Sequence, residues 1–457
     1  MNINDIMGGN LTAEEQISAL RYKTVRVRPW VELEKEYSPK KHSIATDPEY
    51  NRTDNKEKPT VITFGWQKLA AQRMTQLAFG IPVQRVYTTN NDEDQIAANI
   101  MESIMKKVRI NSINLERGVD LYAACEVMTV WYGVESDNAI YGGEKALYKL
   151  RSRTYSPKRG DKLYPLFDDH GDLVALSVEY NTINDKNMTE TYFDTLTDTL
   201  HVRWKIGQGA PEEVVRENVA INKISGVYGS RETPIWEDGS NLSEEAEWTL
   251  SRNGNYIRKN SKPNFVIYTD NNEINLGTNK DGKSSARNVW RLNAKDKAEY
   301  VTWQQANDAI SFQTQTLKRE FFTQIQLPDM SMDEMKTTPM SGESRKMLFI
   351  DAQMKVTSES GIWLEFFDRE FNVIREHACL MFPQHAEALR RLEVEHIITP
   401  YQIRDDAEKI SNVANAVQAG VMSKRTGIAY IGYVDDVDKE MQLIDEEAAA
   451  DVFEPTL

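Results

Sequence analysis

Two long stretches of helical sequence carry narrow apolar faces, and this limits how a single copy of the chain can fold. The first runs from about Asn241, which can cap it, to about Asn260, with few apolar residues among many polar ones. The second covers about 303–326, with one apolar face from Trp303 to Ile325 and glutamines around it. Helices this polar bury little surface alone, so we expect neighbouring chains to complete their burial.

The sequence before these helices predicts short helices followed by a β-rich region. Thr12 and Glu15 have the spacing of a capping box, and residues 38–60 resemble an exposed, charged loop. The spacing of apolar residues predicts an amphipathic helix from Trp66 to Phe79. A second capped helix begins at Asn90, with isoleucines at a spacing of four.

The remaining stretches complete a fold of mixed class. Residues 125–133 predict a strand, and residues 147–236 alternate strand-like runs with turns and contain no long helix. A helix is predicted over about 344–382, and the remainder is predicted to be helical, divided at Thr399-Pro400 and at Gly420. We therefore expect an α+β, predominantly helical fold, with room for about three domains.

The charge balance weighs against tight wrapping of duplex DNA. The chain has 457 residues, 55 Lys and Arg against 70 Asp and Glu, and a formal net charge of −15. Proteins that wrap DNA neutralise phosphates with basic residues, which this composition disfavours. The acidic composition does not exclude DNA that merely passes by.

Cysteine usage and the absence of long apolar runs indicate the compartment. Cys125 and Cys379 are the two cysteines, so a disulfide framework and a cysteine-rich zinc site are excluded. The N-terminus lacks the pattern of a secretory signal, and no apolar run approaches the length of a membrane helix. We expect a soluble protein that is intracellular at synthesis and does not contact a membrane.

One stretch, from Gly277 to Ser284, matches the phosphate-binding pattern G-x-x-x-x-G-K-[ST]. An apolar run ending at Asp351 could supply the magnesium-directed aspartate of a P-loop NTPase. A working loop requires a buried strand before it and a helix after it, whereas residues 270–276 are polar and the following segment is short. We interpret residues 277–284 as a hydrophilic turn and residues 347–351 as part of a helix, and keep the NTPase as the alternative.

Other reactive residues lack catalytic or metal-binding spacing. The six histidines include no pair at i and i+4 with a Glu between them, so no metal site is predicted. Ser341 and the Asp-Asp pairs have no base at catalytic spacing. No cofactor is predicted, and nothing in the sequence argues for an enzyme.

Several motifs, in order, resemble those of tailed-bacteriophage portal proteins of the Gram-positive-phage type. The segment Phe79-Gly80-Ile81-Pro82-Val83 is similar to the family's F-G-x-P-V exit from an early helix. Residues 341–349 resemble the S-G-x-A-L-K entry to its long internal helix, although Ser344 and Arg345 replace the usual Ala and Leu. Residues 420–426 and 434–441 are similar to its closing G-x-x-S-x-x-T and D-D-x-x-x-E motif.

The resemblance implies a portal fold with named parts. It implies an N-terminal part of the wing at 1–238, stem helices at 239–262 and 303–326, a clip at 263–302, a C-terminal part of the wing at 327–385 and a helical crown at 386–457. A tunnel loop at about 333–343 would face DNA through Met335, Lys336, Thr337, Thr338, Pro339, Met340 and Ser341.

The resemblance also implies a non-enzymatic function. About twelve copies would form a ring at one capsid vertex, the channel for packaging and ejection of double-stranded DNA. The implied partners are the terminase large subunit, the major capsid and scaffolding proteins and a head-tail adaptor. The protein would be part of the virion, and would be in the host cytoplasm during assembly.

The predicted clip is locally basic and offers a candidate docking surface. Its cations include Lys280, Lys283, Arg287 and Arg291. A solvated, turn-rich surface explains these residues equally well. A different interaction protein, such as a capsid or tail subunit, also remains open, and the number of subunits would distinguish it from a portal.

Overall fold

The structure is a computed structural model that describes residues 3–8, 11–52, 58–260, 264–268, 289–292, 297–301, 307–328, 349–401, 406–434 and 437–451. The chain divides into two compact units. Unit 1 comprises Met1–Ser331 and Asp351–Tyr401, and unit 2 comprises Met332–Ile350 and Gln402–Leu457.

Helices and strands are both abundant in the described part of the chain. The helices are α1 Ile3–Met7, α2 Ala13–Leu20, α3 Trp30–Tyr37, α4 Ser43–Thr46, α5 Trp66–Phe79, α6 Asp92–Lys107, α7 Ile110–Ala124, α8 Ser240–Asn260, α9 Asn307–Gln324, α10 Ile350–Met381, α11 Ala386–Arg391, α12 Asp406–Gln418, α13 Lys424–Ile431 and α14 Val437–Asp451. The strands are β1 Gln84–Thr88, β2 Glu126–Glu135, β3 Ile140–Tyr141, β4 Glu144–Lys145, β5 Tyr148–Tyr155, β6 Lys162–Phe167, β7 Leu173–Ile183, β8 Thr189–Leu196, β9 Leu200–Ile206, β10 Glu212–Asn218, β11 Gly226–Ser230, β12 Asn264–Tyr268, β13 Val289–Leu292, β14 Lys297–Val301 and β15 Glu393–Ile397.

A five-stranded antiparallel sheet occupies the predicted β-rich region, in the order β10-β9-β8-β7-β6. Phe193, Val202 and Trp204 on one face are buried against α1 and α2. Helix α2 begins with the predicted capping box, in which the Thr12 hydroxyl accepts from the Glu15 amide and the Glu15 carboxylate accepts from the Thr12 amide. The alternation of the strands therefore buries one face of the sheet under the N-terminal helices.

A second sheet, in the order β11-β2-β5, packs near the other face of the five-stranded sheet. Met128, Tyr155 and Tyr228 from this second sheet share a buried cluster with Val178 and Leu196 from the first. The predicted strand at 125–133 is confirmed as β2, which begins one residue later and extends to Glu135. The two sheets thus form the β core of unit 1.

The long helix α10 lies between the β11-β2-β5 sheet and a two-stranded sheet made by β1 and β15. On one side, Phe366 approaches Gly229 of β11 so closely that a Cβ there would lie 2.9 Å from the Phe366 ring. On another side, the Phe371 ring packs 6.3 Å from Tyr87 of β1 and 6.2 Å from His396 of β15. Helix α10 therefore separates these two sheets within unit 1.

Helices α8 and α9 pack against each other, as expected for two stretches that flank a compact segment. That segment contains a small sheet in the order β13-β12-β14, with β12 parallel to β13 and antiparallel to β14. The predicted strand at 265–268 is confirmed as part of β12.

Unit 2 includes α12, α13 and α14. Helix α12 ends at Gln418, and Gly420, in the turn that follows, has a φ of 71°, which favours glycine. Gly427 of α13 lies so close to α12 that a Cβ there would approach Val413 to 2.8 Å. These two glycines allow a sharp turn between the helices and close packing after it.

Three expectations from the sequence differ from the structure. Residues 38–60 are not wholly an exposed loop, since α4 lies there and Ile44 is fully buried. The C-terminal stretch is not wholly helical, because β15 pairs with β1 across about three hundred residues of sequence. Helix α7 was not predicted, because its buried residues include polar ones such as Asn114 and Arg117.

Candidate functional site

The sequence-predicted site residues lie mostly outside the described residues. This applies to the whole of the predicted tunnel loop, to the phosphate-loop match at 277–284 and to three of the four predicted clip cations: Met335, Lys336, Thr337, Thr338, Pro339, Met340, Ser341, Lys280, Lys283 and Arg287. Arg291 lies in β13, where its backbone is opposite Ile267 of β12. Asp351 lies in the first turn of α10 and is exposed, so it does not end a strand as a P-loop aspartate would.

The described elements that lead into and out of these segments carry the site's geometry. Helices α8 and α9 flank the predicted clip, and α9 and α10 flank the predicted tunnel loop. The contacts that position these helices determine where the predicted clip and the predicted tunnel loop begin and end.

Helix α8 buries a row of polar side chains at a spacing of four. Ser243, Glu247 and Ser251 are each 0–1% exposed. Each is hydrogen-bonded to a part of the same chain that precedes α5, or to α5 itself. The Gln67 amide nitrogen lies 2.5 Å from the Ser243 hydroxyl, and the Ile62 backbone amide donates to the Ser251 hydroxyl over 2.9 Å.

Glu247 is the centre of this polar row. One of its carboxylate oxygens lies 2.7 Å from Nδ1 of His42 and 2.6 Å from the backbone nitrogen of Phe64. Two turns further along, the Asn255 side chain accepts from the Thr60 amide over 2.5 Å. A buried carboxylate is stable only when it is paired and hydrogen-bonded, and these donors meet that requirement.

The polar row corrects part of the sequence interpretation of the two helices. We expected the polarity of α8 to be accommodated by neighbouring copies, but residues 60–64 satisfy much of it within one chain. The signal was present in the sequence, since Ser243, Glu247, Ser251 and Asn255 recur every four residues. It was missed because only apolar residues were counted as a buried face.

Among the described residues of α9, the fully buried side chains lie at its C-terminal end, although the helix also packs along α8. Phe321, Phe322 and Ile325 are 0–2% exposed, and the Phe321 ring packs 5.5 Å from Trp66. None of the described residues from 308 to 320 is buried, and Phe312 is 72% exposed. Over residues 308–320, α9 therefore has only half-buried or exposed side chains in the described part of the chain.

Helix α10 is anchored by a buried ion pair. Both terminal nitrogens of Arg117 on α7 donate to the Glu370 carboxylate, over 2.6 and 2.7 Å. The Trp131 indole donates to the same carboxylate over 3.2 Å, and the Arg117 guanidinium lies 4.6 Å from the centre of the Phe366 ring. Because Arg117 is fully buried, this bidentate pair fixes α10 against α7 and β2.

His377, two turns further along α10, is held as a neutral imidazole. Its Nε2 lies 3.1 Å from the Ser225 hydroxyl, and its Nδ1 lies 3.1 Å from the Tyr148 hydroxyl. The Ser225 hydroxyl already donates to the Trp131 carbonyl, so it accepts from Nε2. Burial lowers the pKa of His377 to about 4.

A cleft of about 850 Å³ lies between the two large sheets. Its charged residues are largely paired with one another: Arg203 donates twice to Asp194 over 2.8 Å, and His201 lies 2.8 Å from Glu217. Burial opposes charge on His201, but hydrogen bonds to Asp194 and Glu217 outweigh it and raise its pKa. Ser225 and His377 also line the cleft, but the Ser225 hydroxyl donates to the Trp131 carbonyl and accepts from Nε2 of His377, so this imidazole is not placed to take the serine proton.

Over the described ranges, no group of three or more His, Cys, Asp or Glu side chains could hold a metal ion. In the same part of the chain, no helix is both long and apolar enough to span a membrane.

Comparisons with known proteins identify the family. No curated protein sequence matches significantly. Among solved structures, the chain is similar to "Virion of native gene transfer agent (GTA) particle" at 10% identity and a TM-score of 0.41, covering 91% of this chain and 97% of that one. It is also similar to "Neck of empty GTA particle computed with C6 symmetry" at 8% identity and a TM-score of 0.40, covering 87% and 94%.

The sequence model of the family described as phage portal protein, SPP1 Gp6-like, matches residues 26–452. The chain belongs to this portal family. The predicted family and the predicted α+β class are thus confirmed for the portal protein. Its family is structural rather than enzymatic.

The closing motif of the portal protein has a physical explanation in unit 2. Gly420 lies in the turn just after α12 and has a positive φ, and the Ser423 hydroxyl caps α13 by accepting from the Thr426 amide over 3.1 Å. The hydroxyls of Ser423 and Thr426 lie 2.8 Å apart. The spacing G-x-x-S-x-x-T therefore encodes a helix end, a turn and a helix start.

Proposed function

We propose that about twelve copies of this portal protein form a ring at one vertex of a phage capsid, and that double-stranded DNA passes through it. The observation that carries the proposal is the family match over residues 26–452. The uncovered surface of α9, with Phe312 72% exposed, supports assembly, because a closed ring would give such a helix its missing contacts.

Within this proposal, the parts of the chain keep the roles that the resemblance implied. Residues 1–238 and 327–385 form the wing, 239–262 and 303–326 the stem, 263–302 the clip and 386–457 the crown. Residues 335–341 line the channel. The clip cations, including Lys280, Lys283, Arg287 and Arg291, contact the terminase large subunit or a head-tail adaptor.

The wing and crown then meet the major capsid and scaffolding proteins, and the assembled ring is part of the virion after assembly in the host cytoplasm. The role in packaging and ejection is mechanical, with the energy supplied by a separate terminase. The net charge of −15 fits a conduit, because a wall poor in Lys and Arg does not bind the DNA phosphates by counterion release.

Electron microscopy of the purified protein tests the proposal. We expect rings of about twelve subunits with a central hole wider than duplex DNA. A monomer or a small dimer at both low and high salt would overturn it.

A further inference from the structure

The face of the β11-β2-β5 sheet that packs on the five-stranded sheet through Met128 and Tyr155 is exposed and basic towards its other end, where Tyr132 and Arg153 also line the cleft between the two sheets. Lys149, Arg151 and Arg153 alternate along β5, an edge strand, and therefore point to the same side of the sheet. They lie opposite Val134, Tyr132 and Val130 of β2. Tyr132 and Val134 are 44% and 42% exposed. We call Tyr132, Val134, Lys149, Arg151 and Arg153 the basic face.

The cations of the basic face form no ion pair with a carboxylate in the described part of the chain, although Arg153 is close enough to Asp161 to favour the charged form of that carboxyl. Arg151 and Arg153 are exposed, and neither they nor Lys149 forms an ion pair with a described residue. Arg153 instead lies over the rings of Tyr155 and Tyr180, at 4.7 and 4.5 Å from their centres. The chain has a net charge of −15, yet these three neighbouring cations form no ion pair with a described residue.

A second exposed sheet face is acidic. Glu393 and Glu395 of β15 lie opposite Thr88 and Val86 of β1, and Ile397 lies opposite Gln84. Both glutamates are exposed and form no ion pair with a described residue. Val86 is 50% exposed and Ile397 is 37% exposed. We call Val86, Glu393, Glu395 and Ile397 the acidic face.

The two faces lie on different sides of α10. The side chains of β1 and β15 that alternate with the acidic face point towards α10, where the His396 ring packs 5.7 Å from Phe367. In the other sheet, the side chains that alternate with the basic face also point towards α10, where Trp131 contacts Glu370 and Tyr148 contacts His377. Each charged face therefore points away from the helix that separates them.

We propose that the basic face of one copy binds the acidic face of the next copy around the ring. A head-to-tail interface needs two different patches on different sides of each subunit, and a ring closes when each patch is used once per subunit. Each face has two exposed apolar side chains beside its charged residues. The charges are positive on the basic face and negative on the acidic face. The proposal rests on the ring proposed above and adds which surfaces form it.

Charge reversal tests the pairing. Arg151→Glu with Arg153→Glu reverses two cations of the basic face, and Glu393→Lys with Glu395→Lys reverses the acidic face. Each pair of changes is expected to shift the protein from rings to smaller species in sedimentation velocity, because like charges then meet. All four changes together are expected to restore rings, since opposite charges meet again.

A matched control distinguishes disruption of this interface from a general effect of the change in net charge. Lys68→Glu with Lys186→Glu makes the same change in charge as the reversal of the basic face, at two exposed lysines on α5 and in the turn after β7. The control is expected to form rings as the wild type does. Circular dichroism of every variant checks the fold.

The outcomes distinguish this inference from the proposed function. If the wild type forms no ring, the proposed function fails. If the wild type forms rings and both reversals leave them intact, the inference is overturned while the proposed function stands, and the two faces are then available to capsid or scaffolding proteins. Loss of rings that the fourfold variant does not restore also overturns the pairing.

Cross-linking gives a second readout that does not depend on disrupting assembly. Arg151→Cys with Glu395→Cys places one thiol on each face, while the native Cys125 and Cys379 are buried. On mild oxidation we expect a ladder of covalent oligomers beyond the dimer, which the two single-cysteine variants cannot form. Monomer alone, or a ladder that stops at the dimer, contradicts a head-to-tail contact.

Discussion

The Arg117–Glu370 pair joins two charges that are almost wholly removed from water. A buried pair of this kind adds little net stability compared with apolar residues, but the loss of one partner leaves the other unpaired and desolvated. The pair therefore specifies how α10 lies against α7. Since α10 follows the predicted tunnel loop, it also sets where the chain leaves that loop.

Removal of the Arg117 charge is expected to destabilise the protein strongly. Arg117→Met should lower the free energy of unfolding by between about 3 and 5 kcal/mol in urea titrations. The matched control is Arg369→Met, which breaks the exposed Arg369–Glu365 pair of the same helix and should cost about 0–1 kcal/mol. Equal effects of the two changes would show that the buried pair does not anchor α10.

His377 is expected to make the protein sensitive to acid. Burial lowers its pKa from 6.5 to about 4, so the unfolded state binds a proton that the folded state does not between these values. Stability is therefore lost as pH falls from 6.5 towards 4, by about 3 kcal/mol from this group. Urea titrations of His377→Gln over this pH range should show a smaller loss than the wild type.

The exposed His170 provides the control for this measurement. His170→Gln should lose stability with falling pH to the same extent as the wild type. An acid response of His377→Gln that equals that of the wild type would contradict a neutral, buried His377.

At the scale of elements, apolar periodicity predicted helices well where one face is apolar. Helix α5 was confirmed at Trp66–Phe79, and α8 begins one residue before the predicted start and ends at Asn260. Helix α6 was found from Asp92, with Asn91 rather than Asn90 as its cap. The interior of each element was thus better predicted than its first residue, because neighbouring asparagines can both serve as a cap.

Elements whose burial depends on distant partners were not predictable. Helix α7 buries Asn114, Arg117 and Asp120. The buried charge of Arg117 is stabilised by the Glu370 carboxylate, which comes from a distant part of the sequence. Strand β15 is half-buried on one face and pairs with a strand from the other end of the chain. Their local sequences carry no apolar pattern that would reveal these partners.

The polar row of α8 is expected to hold residues 60–64. Glu247→Ala removes the acceptor for the Phe64 amide and leaves His42 buried without that partner. Hydrogen exchange followed by mass spectrometry should show faster exchange in peptides covering residues 60–66. The control is Glu245→Ala on the exposed side of α8, which should leave these peptides unchanged.

Unchanged exchange at residues 60–66 in Glu247→Ala would mean that other contacts hold this segment. Faster exchange in both variants would instead indicate general destabilisation of α8.

At the scale of the whole molecule, ordered motifs predicted the family although each motif is weak. The closing motif was informative about the family because Gly420, Ser423 and Thr426 each have a backbone role that other residues perform poorly. The proposed ring would depend on contacts between chains. The spacing of apolar residues within one chain predicts only that α9 needs such contacts, not which surfaces supply them.

The predicted tunnel loop is expected to act on DNA and not on assembly. Deletion of residues 336–340 should leave rings visible by electron microscopy, because the flanking helices are anchored independently through Phe321 and Glu370. DNA packaging in vitro should fall. Loss of rings in this deletion would assign the loop to the subunit interface.

The polar row of α8 has a mechanical consequence for the conduit proposed above. The hydrogen bonds from residues 60–64 are spread along α8 from Glu247 to Asn255, and the same segment continues directly into α5. A force applied to α8 along its axis would be shared by all of these hydrogen bonds, which would be loaded in shear. Force on the helix pair would therefore pass into the body of unit 1.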